Sequence, residues 1–333
     1  MVRKSSGSGC VYDDGVPLPE RQLIAKIRKM GGRKSLIGDD CAVLNLPRGY
    51  DLLVTTDLCL EGVHFRRDWH PADSVGHRCL ARGLSDIAAM AGEPVACFLS
   101  LGLPADVSQE WVDGFLGGFF RLTKRFHVPL AGGDTGQSNS GIIADVMVVG
   151  AAPKGKSVRR SGARPGDLIY VTGALGGSAA TLERLRREGR RKSKDFNRRE
   201  RREFAEVAEK SDPHFYPEPR IAVGRKLRGT ASSMIDVSDG LATDLAHICE
   251  ESGVGAEIEI ASLPVAVGAT LEQALHGGED YELLFTASEK KVPKGVRRIG
   301  RVTRDPRQMM WLRTPDGKRM PMPAGGWEHF RKP

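Results

Sequence analysis

Residues 232–253 read SSMIDVSDGLATDLAHICEESG. The first part is a short apolar strand, and LATDLAHICEES carries apolar residues at helical spacing, so a strand feeds a helix through an acidic turn. Upstream, residues 73–92, DSVGHRCLARGLSDIAAMAG, also place apolar residues at helical spacing and stop at Gly92–Glu93–Pro94. Leu84–Ser85–Asp86 and Val237–Ser238–Asp239 each read as the opening of an apolar helix. Gly132–Gly133–Asp134 is matched later by Gly277–Gly278–Glu279–Asp280. The spacings differ, 47 residues from Ser85 to Gly132 and 39 from Ser238 to Gly277. The shared order nevertheless predicts two related lobes, and the first half mixes helices and strands.

The remaining elements fit that plan. LPERQLIAKIRKM begins the fold with a helix. CAVLNL (41–46) and DLLVTTDLCL (51–60) read as strands, the second apolar enough to be buried. CFLSLGL is a strand, Ser108–His127 a helix, and GIIADVMVVG (141–150) a strand. The second half restarts with the strand DLIYVTG (167–173) and continues through strands at AEIEI and YELLFTA. The expected organisation is a flexible tail over 1–16, an N-terminal domain over 17–160 and a C-terminal domain over 161–333.

With 333 residues, 40% hydrophobic and 28% charged, the chain is long enough for two ordinary globular domains. No apolar run approaches the roughly 18–20 residues of a membrane helix, and no signal-peptide core follows the basic N-terminus. The six cysteines form no CxxC pair and no disulfide framework, which suits a reducing cytoplasm. Lys and Arg number 50 against 42 Asp and Glu, but residues 184–202 alone hold 11 basic and 3 acidic residues, leaving 39 of each elsewhere. The net charge of +8 therefore belongs to one stretch, RLRREGRRKSKDFNRRERR, read as a solvated insert between two helices. A basic RNA-binding protein using that insert is the rival reading, and nucleic acid is the less expected partner.

Gly150–Ser157, GAAPKGKS, matches the phosphate-loop pattern GxxxxGK[ST] letter for letter. That loop needs a helix starting at the GKS, whose amides and dipole face the phosphate. Here VRRSGARPGD follows, and Gly162, Pro165 and Gly166 stop any helix. The match is refused.

The informative residues are carboxylates: Asp39 and Asp40 in IGDDCAVL, Asp57 in VTTDLCLEGVHF, Asp86 in GLSDIAAMAG, Asp134 in AGGDTGQS, and Asp236 and Asp239 in MIDVSDGL. Singly, Asp86 and Asp239 could be helix N-caps and Asp134 a turn residue. Together, if strand ends converge, they repel one another and call for cations. All-oxygen donors favour Mg²⁺ over zinc, and Mg²⁺ held by a few carboxylates completes its shell with phosphate oxygens. Gly132–Gly133 would admit a phosphate close to the backbone. The residues alone point to magnesium-dependent phosphoryl transfer.

IGDDCAVL, TTDLCLEGVHF, LSDIAAMAG, GGDT, RRSGARPGD, TGALGGSAA, IDVSDGLATDLAHI and GGEDYELLF follow one another in the order of thiamine-monophosphate kinases, from about residue 20 to the closing GGWEHF. The chain resembles that family, whose superfamily includes aminoimidazole ribonucleotide synthetase, selenophosphate synthetase and a hydrogenase-maturation protein. The resemblance implies two α+β lobes, a homodimer with strands at its interface and an ATP-binding cleft. It also implies transfer of the ATP γ-phosphate to thiamine monophosphate with several Mg²⁺ ions, in line and without a covalent nucleophile. Carried over by motif, Asp39, Thr55, Thr56, Asp57, Asp86, Asp134, Asp236 and Asp239 would hold metal. Gly133, Arg160 and Ser238 would contact ATP, and His64, Glu279 and Trp327 the thiamine part. The 184–202 insert is longer and more basic than the family pattern, and the stretch from Leu263–Pro264 to Gly277 is compressed. Selenophosphate synthetase is disfavoured because Cys10 lacks a neighbouring catalytic lysine pattern. The maturation protein is disfavoured because the sequence closes HFRKP without a cysteine. Another ATP-using member of the superfamily stays as an alternative.

Overall fold

The computed structural model describes residues 18–32, 36, 44–192, 212–288, 292–305, 307–322 and 325–326. The expected tail over 1–16, Asp39, the first half of CAVLNL, residues 193–202 of the basic insert and Trp327 lie outside them. Residues 44–46, the described part of CAVLNL, are not in a strand.

Helix α1 (Glu20–Met30) lays Leu23 and Ile27 into the core beside a four-stranded sheet. That sheet contains β1 (Tyr50–Leu60), β2 (Glu93–Leu103), β3 (Leu130–Gln137) and β4 (Ile143–Pro153) in the order β1-β4-β2-β3. Only β2–β3 is parallel; β4 runs antiparallel to both β1 and β2. Helices α2 (Ala72–Ala89) and α3 (Gln109–Phe126) pack together against it. They approach closely because Gly76 and Gly118 stand at the crossing, where a Cβ would overlap the Phe115 and Asp73 carbonyl oxygens respectively. Ser108 caps α3 by accepting from the Trp111 amide, and His127 closes it in the left-handed conformation.

Strand β1 corrects one expectation. It alternates rather than being buried throughout: Leu53, Thr55, Asp57 and Cys59 turn toward the helices, whereas Leu52, Val54 and Leu58 are exposed by 54%, 55% and 49%. The strand lies at the sheet edge, and α2 and α3 cover only one face.

The second sheet has seven strands: β5 (Leu168–Val171), β6 (Ala231–Asp236), β7 (Gly255–Glu259), β8 (Leu283–Ala287), β9 (Arg297–Thr303), β10 (Met310–Arg313) and β11 (Arg319–Pro321). Their order is β11-β10-β7-β9-β5-β8-β6, antiparallel except for β7–β10. Four described helices accompany it: α4 (Gly177–Lys192), α5 (Ile221–Leu227), α6 (Leu241–Ser252) and α7 (Leu271–His276). Helix α4 runs through Gly189, so residues 184–192 of the basic insert form the end of that helix. Between Pro153 and β5 no helix forms, and the GAAPKGKS match has no phosphate-loop geometry.

The echo between the halves is not structural at its motifs. Asp86 lies in the last turn of α2, not at its start, and its carbonyl accepts from the Met90 amide. It is therefore no N-cap. Asp239 precedes α6, but the Asp244 carboxylate serves that helix start, accepting the Ser238, Asp239 and Gly240 amides at 3.0–3.1 Å. Asp134 sits inside β3 rather than in a turn.

Helix α2 joins the halves. Ala88 and Ala89 pack with Tyr170, Leu227, Met234 and Phe285 of the second half. Deeper in, Arg78, 2% exposed, bonds the Glu279 carboxylate at 2.6 Å and the His64 carbonyl at 3.2 Å, and also reaches the His214 carbonyl. Beside it His70 Nε2 lies 3.0 Å from His214 Nε2, and His214 Nδ1 lies 2.9 Å from Ser178 Oγ.

Replacing Arg78 with Met leaves Glu279 without its closest cation, and the expected loss is about 3–5 kcal/mol of unfolding free energy. Urea denaturation reads it, and wild-type stability in the variant would remove Arg78 as the tie. Burial, with Arg78 next, pushes His70 down to about 3 and His214 well below its ordinary value. Unfolding lets both rings take protons near 6.5, so their contribution is complete above that pH and falls as the solution is acidified, for His70 down to about 3. Each neutral histidine is expected to cost about 1.4 kcal/mol per pH unit in that window. Denaturation midpoints at several pH values, wild type against His70→Gln, measure it; parallel curves for the two proteins would refute it.

Candidate active site

The site is built where α2 meets β1 and β6. The Thr55 hydroxyl on β1 donates to the Asp86 carboxylate. One residue earlier on α2, the buried Ser85 hydroxyl donates to Asp236 Oδ2 at 2.7 Å, across the seam between the halves. Burial raises Asp86 to about 7, with the negative charges of Asp236 and Asp57 adding to it. Burial likewise raises Asp236, while the Ser85 hydrogen bond pulls the other way. The Arg160 guanidinium partly offsets both carboxylates. These groups open onto a cavity of about 410 Å³ whose apolar wall includes Leu53, Ile87, Met90 and Met234, with Thr55, Asp86, Asp236 and Arg160 as its polar side.

A second cluster adjoins the first along α2. Arg82 donates from Nη2 and Nε to Asp57 Oδ1 at 3.0 and 3.2 Å and from Nη1 to Glu279 Oε1 at 3.4 Å. Although burial opposes its charge, the two arginines hold the Glu279 carboxyl below its usual value. The His64 ring accepts the Leu60 amide at 3.0 Å, and its carbonyl meets Arg78. Glu279 and Tyr281 both have left-handed backbones, φ 64° and 51°, unusual for side chains of that size. The neighbouring acids have other duties. Asp280 accepts the Gly176 and Ser178 amides at the start of α4, and Glu282 pairs with Arg220.

Ser238 and Asp239 form the edge beyond Asp236, their amides gathered by Asp244, which burial and the charges of Asp236 and Asp239 raise to about 8. Gly326 packs on the Asp239 carbonyl and donates to Thr243 Oγ1 at 2.8 Å, bringing the end of the described chain to this edge.

Other expected residues do not join these clusters within one chain. Thr56 turns to the opposite face of β1 from Thr55 and Asp57. Across the sheet, Asp57 is level with Val146, Leu99 and Gly133. The next row contains Leu58, Asp145, Ser100 and Asp134, on the face where Leu58 is exposed. Three strand spacings of about 4.8 Å put Asp134 about 14 Å from Asp57, on the other side of the sheet. Gly133 permits β3 to pair there: φ is 154°, and a Cβ would overlap the Leu99 carbonyl oxygen. Next to Asp134, the buried Thr135 hydroxyl has no hydrogen-bond partner among the described residues.

Among the described residues no three His, Cys, Asp or Glu side chains form a ready cage for a metal. The donor chemistry nevertheless suits Mg²⁺. Thr55, Asp86 and Asp236 offer only oxygen, and the two acids are short of neighbouring positive charge. The sequence reading missed Arg78, Arg82 and Asp244. Arg78, Arg82 and Asp86 stand four residues apart on α2, a stripe legible as one polar face.

The models of AIR synthase related proteins match the chain over residues 38–152 for the N-terminal domain and 164–308 for the C-terminal domain. Thiamine-monophosphate kinase of Escherichia coli K12 is 38% identical over 317 residues, covering 89% of this chain and 92% of the relative. The Bacillus subtilis enzyme is 32% identical over 89% of this chain and 93% of its own. Among solved structures, AaThiL complexed with AMPPCP and TMP superposes with a TM-score of 0.72 at 32% identity, covering 94% of this chain and 97% of that one. The Stenotrophomonas maltophilia thiamine-monophosphate kinase gives 0.73 at 33% identity, covering 89% and 96%. The hydrogenase maturation protein HypE in complex with ATP gives 0.73 at only 17% identity, a likeness of fold, covering 93% and 95%. This two-sheet chain, with its seam of aspartates between the halves, belongs to the thiamine-monophosphate kinase family.

Proposed function

We propose that the protein transfers the γ-phosphate of ATP to thiamine monophosphate, giving thiamine diphosphate and ADP. The observation that carries this reading is the pair Asp86 and Asp236, buried at one seam beside Arg160 and open to the same cavity. Asp57, Asp86 and Asp236, with Thr55, would hold Mg²⁺ where the halves meet; Asp39, Thr56, Asp134 and Asp239 are assigned to the same duty by motif, several ions in all. Mg²⁺ neutralises the charge of the phosphates and of the group in transfer. Arg160, the cation of the cavity wall, binds nucleotide phosphate, with the Gly133 and Ser238 backbones as further contacts. The apolar wall of Leu53, Ile87 and Met234 excludes water. His64, Glu279 and Trp327 meet the thiamine part. The acceptor is itself a phosphate, so positioning and screening suffice for direct in-line transfer without a protein nucleophile.

The working unit is a homodimer. Leu52, Val54, Leu58, Ile143 and Met147 make an apolar face on the side of the first sheet away from α2, suited to a second copy. Asp134 lies on that same face. The domains are taken as 17–160 and 161–333, and the four described cysteines, free and buried, suit a cytoplasmic protein.

Purified protein with ATP, Mg²⁺ and thiamine monophosphate is expected to form thiamine diphosphate; EDTA stops turnover and Mg²⁺ restores it. Asp86→Asn and Asp236→Asn are each expected to lower the rate by about 100-fold or more at an unchanged melting temperature. Full activity in either variant sinks the metal assignment. ³²P from γ-labelled ATP is expected in thiamine diphosphate and not on denatured protein; a trapped phosphoprotein would refute direct transfer. Sedimentation should give a dimer that Val54→Asp dissociates, and a monomeric wild type would contradict the interface.

A further inference from the structure

Asp57 is bound in this chain by a cation of its own. Arg82 projects from α2 with only 15% of its side chain exposed and places two N–H groups on one oxygen of Asp57. Its third contact, Nη1 to Glu279 Oε1, is long at 3.4 Å, whereas Arg78 already holds Glu279 Oε2 at 2.6 Å. One guanidinium therefore stands between the carboxylate assigned to metal and the carboxylate assigned to substrate, tight on the first and loose on the second. Asp86 and Asp236, a turn further along the seam, bond the Thr55 and Ser85 hydroxyls and pair with no guanidinium at hydrogen-bond distance among the described residues.

We propose that Arg82 is an internal counter-ion that occupies Asp57 while metal is absent, and that a divalent cation must displace it from Asp57 toward Glu279. This rests on the reading of Asp57 as a metal ligand. A guanidinium and a divalent ion on one carboxylate repel each other at short range, in a site where little water screens them. Glu279 Oε1 lies within reach, so the displaced fork needs only a small swing to become a full partner there, planar donors facing a planar acceptor. Metal occupancy then alters the charge around Glu279, which links the metal side of the cleft to the substrate side. Arg82 is in this sense a positioning residue: it acts through Asp57 and Glu279.

The experiment is a Mn²⁺ titration of the full chain without nucleotide or thiamine compounds, with free Mn²⁺ read by electron paramagnetic resonance. Arg82→Met is expected to bind Mn²⁺ about tenfold more tightly than wild type, since the competing charge is gone. Arg82→Lys, which keeps a charge on a shorter reach, should fall between them. Asp57→Asn should erase the gain when combined with Arg82→Met. Circular dichroism checks folding, and Arg82→Gln replaces the Met variant if that one does not fold. A merely structural arginine would lower the melting temperature without tightening metal binding. Equal or weaker Mn²⁺ affinity in the Met or Gln variant overturns the proposal while leaving the kinase reading intact. No Mn²⁺ binding by wild type overturns both the proposal and the metal reading of Asp57.

Discussion

The burial of helix α2 is the constraint on which the rest of the structure depends. Fourteen of its 18 residues are buried, so it has no face to give to water. It must be covered by β1 and β4 on one side, by α3 on another, and by α5 and β6 from the second half. Any polar side chain on such a helix must find a partner in one of those layers. Ser85 finds Asp236, Arg78 finds Glu279, Arg82 finds Asp57 and Glu279, and Asp86 finds Thr55. The contacts that join the halves and the contacts that shape the cleft are thus the same contacts.

Much of the fold was legible because its elements obey local rules. Strand β2, helix α3 with its Ser108 cap, and the strand into α6 all show their period in the sequence. What the period could not show was depth. Strand β1 alternates in burial although its sequence is apolar on both faces, because helices cover only one side of the sheet. The serine–aspartate pairs at 85–86 and 238–239 look alike in sequence, yet one closes a helix and the other precedes one. Helix limits are set by what packs around them, and the short motif carries no record of that.

The site was legible as a set of acids and not as an arrangement. Asp57, Asp86 and Asp236 could be named because carboxylates after apolar runs demand a reason. Arg78 and Arg82 do not stand out in the sequence, because an arginine on a helix is ordinarily a solvated charge. Only the packing of α2 makes them internal. Asp134 was grouped with the other acids by motif, whereas the strand register places it in the next row and on the far face. Sequence order cannot carry that distinction, since it depends on which strand pairs with which.

The net charge of +8 says little about this cleft, whose electrostatics are local and uneven. Along one seam, α2 offers arginines at 78 and 82 and then a serine and an aspartate at 85 and 86. Its first part therefore meets Asp57 and Glu279 with positive charge, and its last turn meets Asp236 with more negative charge. The first end is neutralised by the chain itself. The second is left with Asp86, whose ionisation burial and the Asp236 charge oppose, and with Asp236, opposed by burial, both relieved only in part by Arg160. Two buried carboxylates so placed cannot both ionise cheaply, so without a cation to join them one stays protonated. A fold that keeps this deficit beside a cavity, while balancing charge a turn away, leaves its uncompensated negative charge at one end only. The two ends of the cleft are thereby given opposite electrostatics by the order of side chains on a single helix.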